Sequence, residues 1–143
     1  RVGSMFEPWI DNKFDLIIDD VSGVSDVIGK LTTWFDFAPN NSGIDGSNLT
    51  IDVIKNSINF LNNKGVLIFP IIGLSNKKKI IDSIDKNIFN LQLIKKKNWP
   101  LPNDLSKNKT LLYELREKGH IEFEDKFNIL SSFTEIYKCS VKS

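Results

Sequence analysis

Two stretches decide the fold: Phe14-Asp15-Leu16-Ile17-Ile18-Asp19-Asp20 and Gly65-Val66-Leu67-Ile68-Phe69-Pro70. Each is a short, nearly continuous apolar run closed by residues that leave a strand, a pair of aspartates in one and a proline in the other. Such runs suit strands buried on both faces of a parallel sheet. Between them, Val24 to Phe35 carries apolar residues at 24, 27, 28, 31, 34 and 35, a helical spacing. Asn48 is a good N-cap for a second helix with Ile51, Ile54, Ile58 and Leu61 on its inner side, ended by Asn62-Asn63-Lys64-Gly65. The intervening Asp36 to Ser47, rich in Pro, Asn, Gly and Asp, reads as an exposed loop. Strand, helix, strand is the resulting unit.

Working outward, Ser75 can cap a helix running to about Lys86, with Ile80, Ile81 and Ile84 inward. Phe89 to Leu93 alternates apolar and polar, as a strand with one wetter face does. Trp99-Pro100-Leu101-Pro102 breaks that pattern. Leu105 to Lys118 is helical with Leu111, Leu112 and Leu115 inside and Gly119 as its C′ residue, and a last strand runs from about Thr134 to Cys139. The expected fold is a single α/β domain: parallel strands, helices on both faces, and an antiparallel final pair at the sheet edge, because the last two strands lack the crossover pattern.

Composition narrows the function classes. With 143 residues, 41% of them apolar, the chain can bury one core and is too short for two domains. Nineteen basic and 18 acidic residues leave a net charge of +1, so the overall balance argues for neither a nucleic-acid nor a membrane partner. Cys139 is the lone cysteine, which rules out an internal disulfide and points to burial in the last strand. No apolar run approaches the roughly 20 residues that span a bilayer. A cytoplasmic location is the expectation. The opening Arg1-Val2-Gly3-Ser4-Met5-Phe6 reads as the middle of a longer chain. No P-loop, Ser/His/Asp set or metal-ligand spacing can be assembled, and His120 stands alone.

Gly3-Ser4-Met5-Phe6-Glu7, Phe14 to Asp20, Gly43-Ile44-Asp45-Gly46, a helix, and Leu61-Asn62-Asn63-Lys64-Gly65-Val66-Leu67-Ile68 follow one another in an order and spacing that resembles a known family. The resemblance is to the second half of class I, S-adenosylmethionine-dependent methyltransferases, with a Rossmann-like sheet, and within them to the small-methyltransferase and release-factor glutamine methyltransferase branch. It covers about the first 75 residues well and the remainder by the order of elements.

The resemblance implies that Asp19, Asp20, Val21 and Ser22 stand where the family has Asn-Pro-Pro-Tyr, beside the reacting methyl group, with Asp20 on the Asn position. An Asn there accepts hydrogen bonds from an acceptor amine and orients its lone pair; an aspartate can do the same and can also serve as a base. Both prolines and the tyrosine are missing, and Asp19 and Asp20 equally suit the start of the following helix. Ser4, Met5 and Phe6 fall where the family contacts the adenine ring, while a segment packing into the core on its way to the sheet explains them as well. Trp34 and Phe35, ahead of Phe37, Pro39 and the Asn40 to Gly46 loop, serve either as an acceptor-pocket wall under a closing loop or as packing beneath it.

The cofactor, S-adenosylmethionine, needs a Gly-x-Gly-x-Gly loop after the first strand of such a domain. None of the eight glycines forms one. The expectation is a partial domain whose cofactor-gripping N-terminal half lies outside this chain, binding the cofactor weakly or not at all by itself. The methyl acceptor, whether protein, RNA or a small molecule, is left open; Lys77-Lys78-Lys79 and Lys95-Lys96-Lys97 fit phosphate contacts or a solvated surface. Two other function classes remain: a Rossmann-like interaction or scaffold module without catalysis, and an oxidoreductase fragment, which the missing glycine loop and the Gly-x-Asp-Gly segment disfavour.

Overall fold

Phe14–Ile18 forms strand β1, and in the computed structural model, which describes residues 2–21 and 23–143, it pairs in parallel with β2, Leu61–Ile72. Two helices lie between them, α1 (Asp26–Gly29) and α2 (Asn48–Ser57), so the expected strand-helix-strand unit is present. Then come α3 (Lys77–Asp82), β3 (Phe89–Pro100), α4 (Asn103–Ser106), α5 (Lys109–Glu117), β4 (Glu124–Lys126) and β5 (Ile129–Val141). The sheet runs β1-β2-β5-β3, with β4 paired to β5 in a hairpin. Because β5 is antiparallel to both β2 and β3, those two share the direction of β1. The chain is thus an α/β fold on a mixed five-stranded sheet. The final antiparallel pair is at the sheet edge, but the last strand is inserted inside it and β3 is outermost.

Burial splits the sheet into unlike faces. On one, Ile51 and Ile54 of α2 and Ile80 and Ile84 from α3 and the turn after it cover Leu67, Phe69, Ile71, Tyr137 and Cys139. A second cluster gathers Ile28 of α1, Leu105 of α4 and Leu112 and Leu115 of α5 around Leu74, Leu101 and Leu130, beyond the carboxyl end of β2. The alternate residues of the same strands have no such cover. Leu16 is 50% exposed and Ile18 67%, and with Val66, Ile68, Pro70 and Ile136 they belong to neither cluster. The expectation of helices on both faces is corrected accordingly: helical cover is missing over the middle of one face.

Local chemistry explains the shifted boundaries. The helix expected over 24–35 is one turn, because Gly29 lies against Asn40, whose amide donates to Val24 O at 3.2 Å, and β-branched Thr32 turns back to Gly29 O at 3.4 Å. α2 stops at Ser57, whose hydroxyl donates to Ile54 O at 2.8 Å; Leu61 then opens β2 instead of closing the helix, through a bulge at Lys64 with φ +64°. Asn76, not Ser75, caps α3, accepting Lys79 N–H at 3.1 Å, and α3 ends at Asp82, short of Lys86. The helix expected from 105 to 118 is split at Asn108, whose side chain donates to Asp104 O at 2.8 Å. β3 extends to Pro100 and β5 back to Ile129 because the two form one long ladder, and Phe127 and Asn128, both at positive φ, make the tight turn from β4. Lysines 95–97 on the outer strand β3 discourage edge pairing with other chains.

Candidate functional site

β1 ends in a carboxylate turn. Asp19 N–H donates to Ile68 O at 2.8 Å, extending the β1–β2 ladder, and the Asp19 side chain then accepts the N–H of Val21 at 2.9 Å. Asp19 is 6% exposed and its Oδ2 has no hydrogen-bond partner among the described residues. Burial raises its pKa to about 6; the Val21 hydrogen bond opposes that and the neighbouring Asp20 charge adds to it. Asp19 thus turns the chain, and the exposed Asp20 that follows is carried to the carboxyl end of the parallel pair.

There Asp20 and Val21 line an open cleft of about 550 Å³ together with Trp34, Phe35, Pro70 and Ile72. Open α/β sheets bind ligands at this end. The structure therefore brings two groups of sequence-derived candidates together, the Asp20–Val21 turn and the Trp34–Phe35 pair. Trp34 is 44% exposed and meets Trp99, which lies outside the cleft lining, edge-on with ring centroids 6.3 Å apart. Ser22 lies outside the described residues.

Ser4, Met5 and Phe6 line no part of this cleft. Ser4 and Met5 are exposed, and Phe6 stacks on Phe60 at 4.5 Å, just ahead of β2, packing against the covered-face core. No group of three His, Cys, Asp or Glu side chains suited to a metal occurs among the described residues.

The comparisons with known proteins name no relative. No family model matches, and neither the curated proteins nor the solved structures give a significant match. The site's chemistry rests on its own geometry.

That geometry depends on a segment the sequence presents as a loose loop. Residues 42 and 45–47 are buried. Asp45 accepts Ser47 N–H at 3.2 Å, Ser47 O–H at 2.6 Å, the Asn76 amide at 3.1 Å and the Lys79 ammonium at 3.2 Å. Burial pushes the Asp45 pKa up, but these bonds outweigh it and hold it below the usual carboxylate value. Ser25 O–H donates to Ile44 O at 2.6 Å and Ser25 N–H to Leu74 O at 2.9 Å. Gly46, at φ +72°, is so close to this strap that a Cβ would stand 2.4 Å from Ser25 N. Gly43-Ile44-Asp45-Gly46 is therefore a rivet joining the exits of β1 and β2. Its signal was present in the Asp-x-Ser spacing, which is a self-capping turn.

Four of the six triplet lysines are engaged with acids. Lys77 pairs with Glu135 at 2.8 Å, Lys78 with Asp82, Lys79 with Asp45, and Lys96 reaches Glu135 at 3.2 Å, so the triplets meet at one buried carboxylate. Burial pushes the Glu135 pKa up; Lys77, the Tyr137 hydroxyl at 2.6 Å and Lys96 more than reverse that. No helix among the described residues is long and apolar enough to cross a membrane.

Proposed function

We propose that this chain is the acceptor-side half of a class I, S-adenosylmethionine-dependent methyltransferase domain with a Rossmann-like sheet, working in the cytoplasm. The observation that carries the reading is the position of Asp20. It follows the first strand of a parallel strand-helix-strand unit and lines an aromatic-walled cleft at the carboxyl end of that pair, where the resemblance puts the residue that orients the acceptor. In this reading Asp20 accepts a hydrogen bond from the acceptor N–H or O–H, Trp34 and Phe35 hold the acceptor's body, and Asp19 fixes the turn that presents Asp20.

The sequence holds no Gly-x-Gly-x-Gly loop to grip the cofactor. Ser4 and Met5 are exposed and away from the cleft lining, and the close-packed Gly43 and Gly46 are occupied by Asn48 and by the Ser25 backbone. The reading assigns that grip to an N-terminal half. Two features support a missing half: among the described residues β1 has an unpaired edge, and the sheet face carrying the exposed Leu16 and Ile18 lacks helical cover. A Rossmann-like interaction module without catalysis is the second reading, favoured by the absence of the cofactor grip.

The test is methyl transfer from labelled S-adenosylmethionine, catalysed by the polypeptide that carries this chain with its N-terminal half, into cell extract separated into protein, RNA and small-molecule fractions. Label entering one fraction supports the enzyme. A polypeptide that binds the cofactor with no transfer to any fraction, or that lacks an acidic-x-Gly-x-Gly segment after an upstream strand, rejects it in favour of the module.

A further inference from the structure

We infer that the cleft beside Asp20 is selective for an organic cation, an amine carried on a flat apolar body, and excludes phosphate-bearing ligands; this deepens the proposed function by naming the acceptor class, whose ammonium must first lose one N–H proton through Asp20 to solvent so that the nitrogen lone pair can take the methyl group. Three observations combine. The walls are aromatic and apolar: Trp34 and Phe35 with Val24, Pro70 and Ile72. Asp20 is the one charged side chain among the described residues lining the cleft, and no lysine or arginine joins it. The adjoining cleft of about 540 Å³, which shares Phe35 and Pro39 as its wall, adds Asp26 and Asp36 against Lys30 alone.

This local negative field is not a by-product of composition, since the chain is +1 overall and holds two lysine triplets elsewhere. A carboxylate at one end of an aromatic-walled recess is the arrangement that recognises ammonium groups, through a charge-assisted hydrogen bond and attraction to the ring face. The same arrangement repels phosphate, which would meet a carboxylate with no counter-charge. Trp34 suits this role because its exposed ring, which meets Trp99 edge-on, is open to a ligand in the cleft.

Phenethylammonium, phenylacetate and adenosine monophosphate provide matched probes: a ring with a cation, the same ring with an anion, and a ring with phosphate. Titration of this chain while following the Trp34 indole N–H by NMR is expected to give a dissociation constant in the millimolar range for phenethylammonium, with the two anions at least about ten-fold weaker. Asp20→Asn should weaken phenethylammonium about ten-fold, and Trp34→Leu, followed through the backbone N–H groups of Val21 and Val24 in the same cleft, should also weaken it, each with unchanged amide dispersion elsewhere. Phenylacetate or adenosine monophosphate binding as tightly as the cation, no shift with any probe up to about 50 mM, or binding indifferent to both substitutions would overturn the inference. Binding needs no methyl donor, so the two proposals fail separately. Selective cation binding without methyl transfer would keep the cleft's specificity and reject the reaction, whereas transfer onto a phosphate-bearing acceptor would do the reverse.

Discussion

The two faces of one sheet are built from alternate residues of the same strands, yet they meet different surroundings. Leu67, Phe69 and Ile71 of β2 are sealed under α2 and α3, while Val66, Ile68 and Pro70 between them look out, beside the exposed Leu16 and Ile18 of β1. Residue type does not distinguish the faces; cover does. A strand apolar on both sides carries the composition of a two-sided core, so the bare face is what a larger sheet would lack if one layer were removed. Under the proposed function, the N-terminal half of the same domain would cover this bare face.

The largest effect should come from substituting the two faces in parallel. Phe69→Ala on the covered side should cost about 3–5 kcal/mol by cavity formation, whereas Ile18→Ala on the bare side should cost no more than about 0.5 kcal/mol. Chemical denaturation of the two variants measures both, and equal losses would mean that something already covers Ile18 in solution.

A smaller effect sharpens the contrast between the buried Asp19 and the exposed Asp20 beside it. The Asp19 pKa is raised to about 6 in the fold from its ordinary 3.8, so the folded chain binds the proton more tightly than the unfolded one. Its contribution is fully present below about pH 4 and is lost as pH rises through 6, a change on the order of 2–3 kcal/mol. Asp45 and Glu135, both lowered, act in the opposite sense and lose their contribution as pH falls. Asp19→Asn keeps the acceptor for Val21 N–H and removes the titration. Denaturation midpoints between pH 4 and 7 should then rise relative to the parent at the upper end; an unchanged pH profile would show that Asp19 is solvated.

The sequence made some of this legible and hid the rest for physical reasons. The runs Phe14–Ile18 and Val66–Phe69 marked the parallel pair because apolar continuity is a strong signal. Their neighbourhood at Asp20, with Trp34 and Phe35 near in space, was also within reach, because chain reversal at the carboxyl end of β1 follows from Asp19-Asp20. The long helix over 24–35 was not, since its apolar spacing is satisfied by a cluster beyond the sheet and Gly29 with Thr32 ends the turn early. The rivet at Asp45 looked like a loop because its burial comes from partners at Asn76 and Lys79, some thirty residues away. The place of β5 between β2 and β3 was hidden for the same reason, as antiparallel insertion is set by pairing partners and leaves no local mark.

The most direct test of the central claim is the split between rate and cofactor affinity in Asp20→Ala, measured in the complete domain. If this chain supplies the acceptor side of the pocket, the methyl-transfer rate should fall about 100-fold while S-adenosylmethionine affinity stays within about two-fold. Equal loss of rate and affinity, or no loss of rate, would contradict the account.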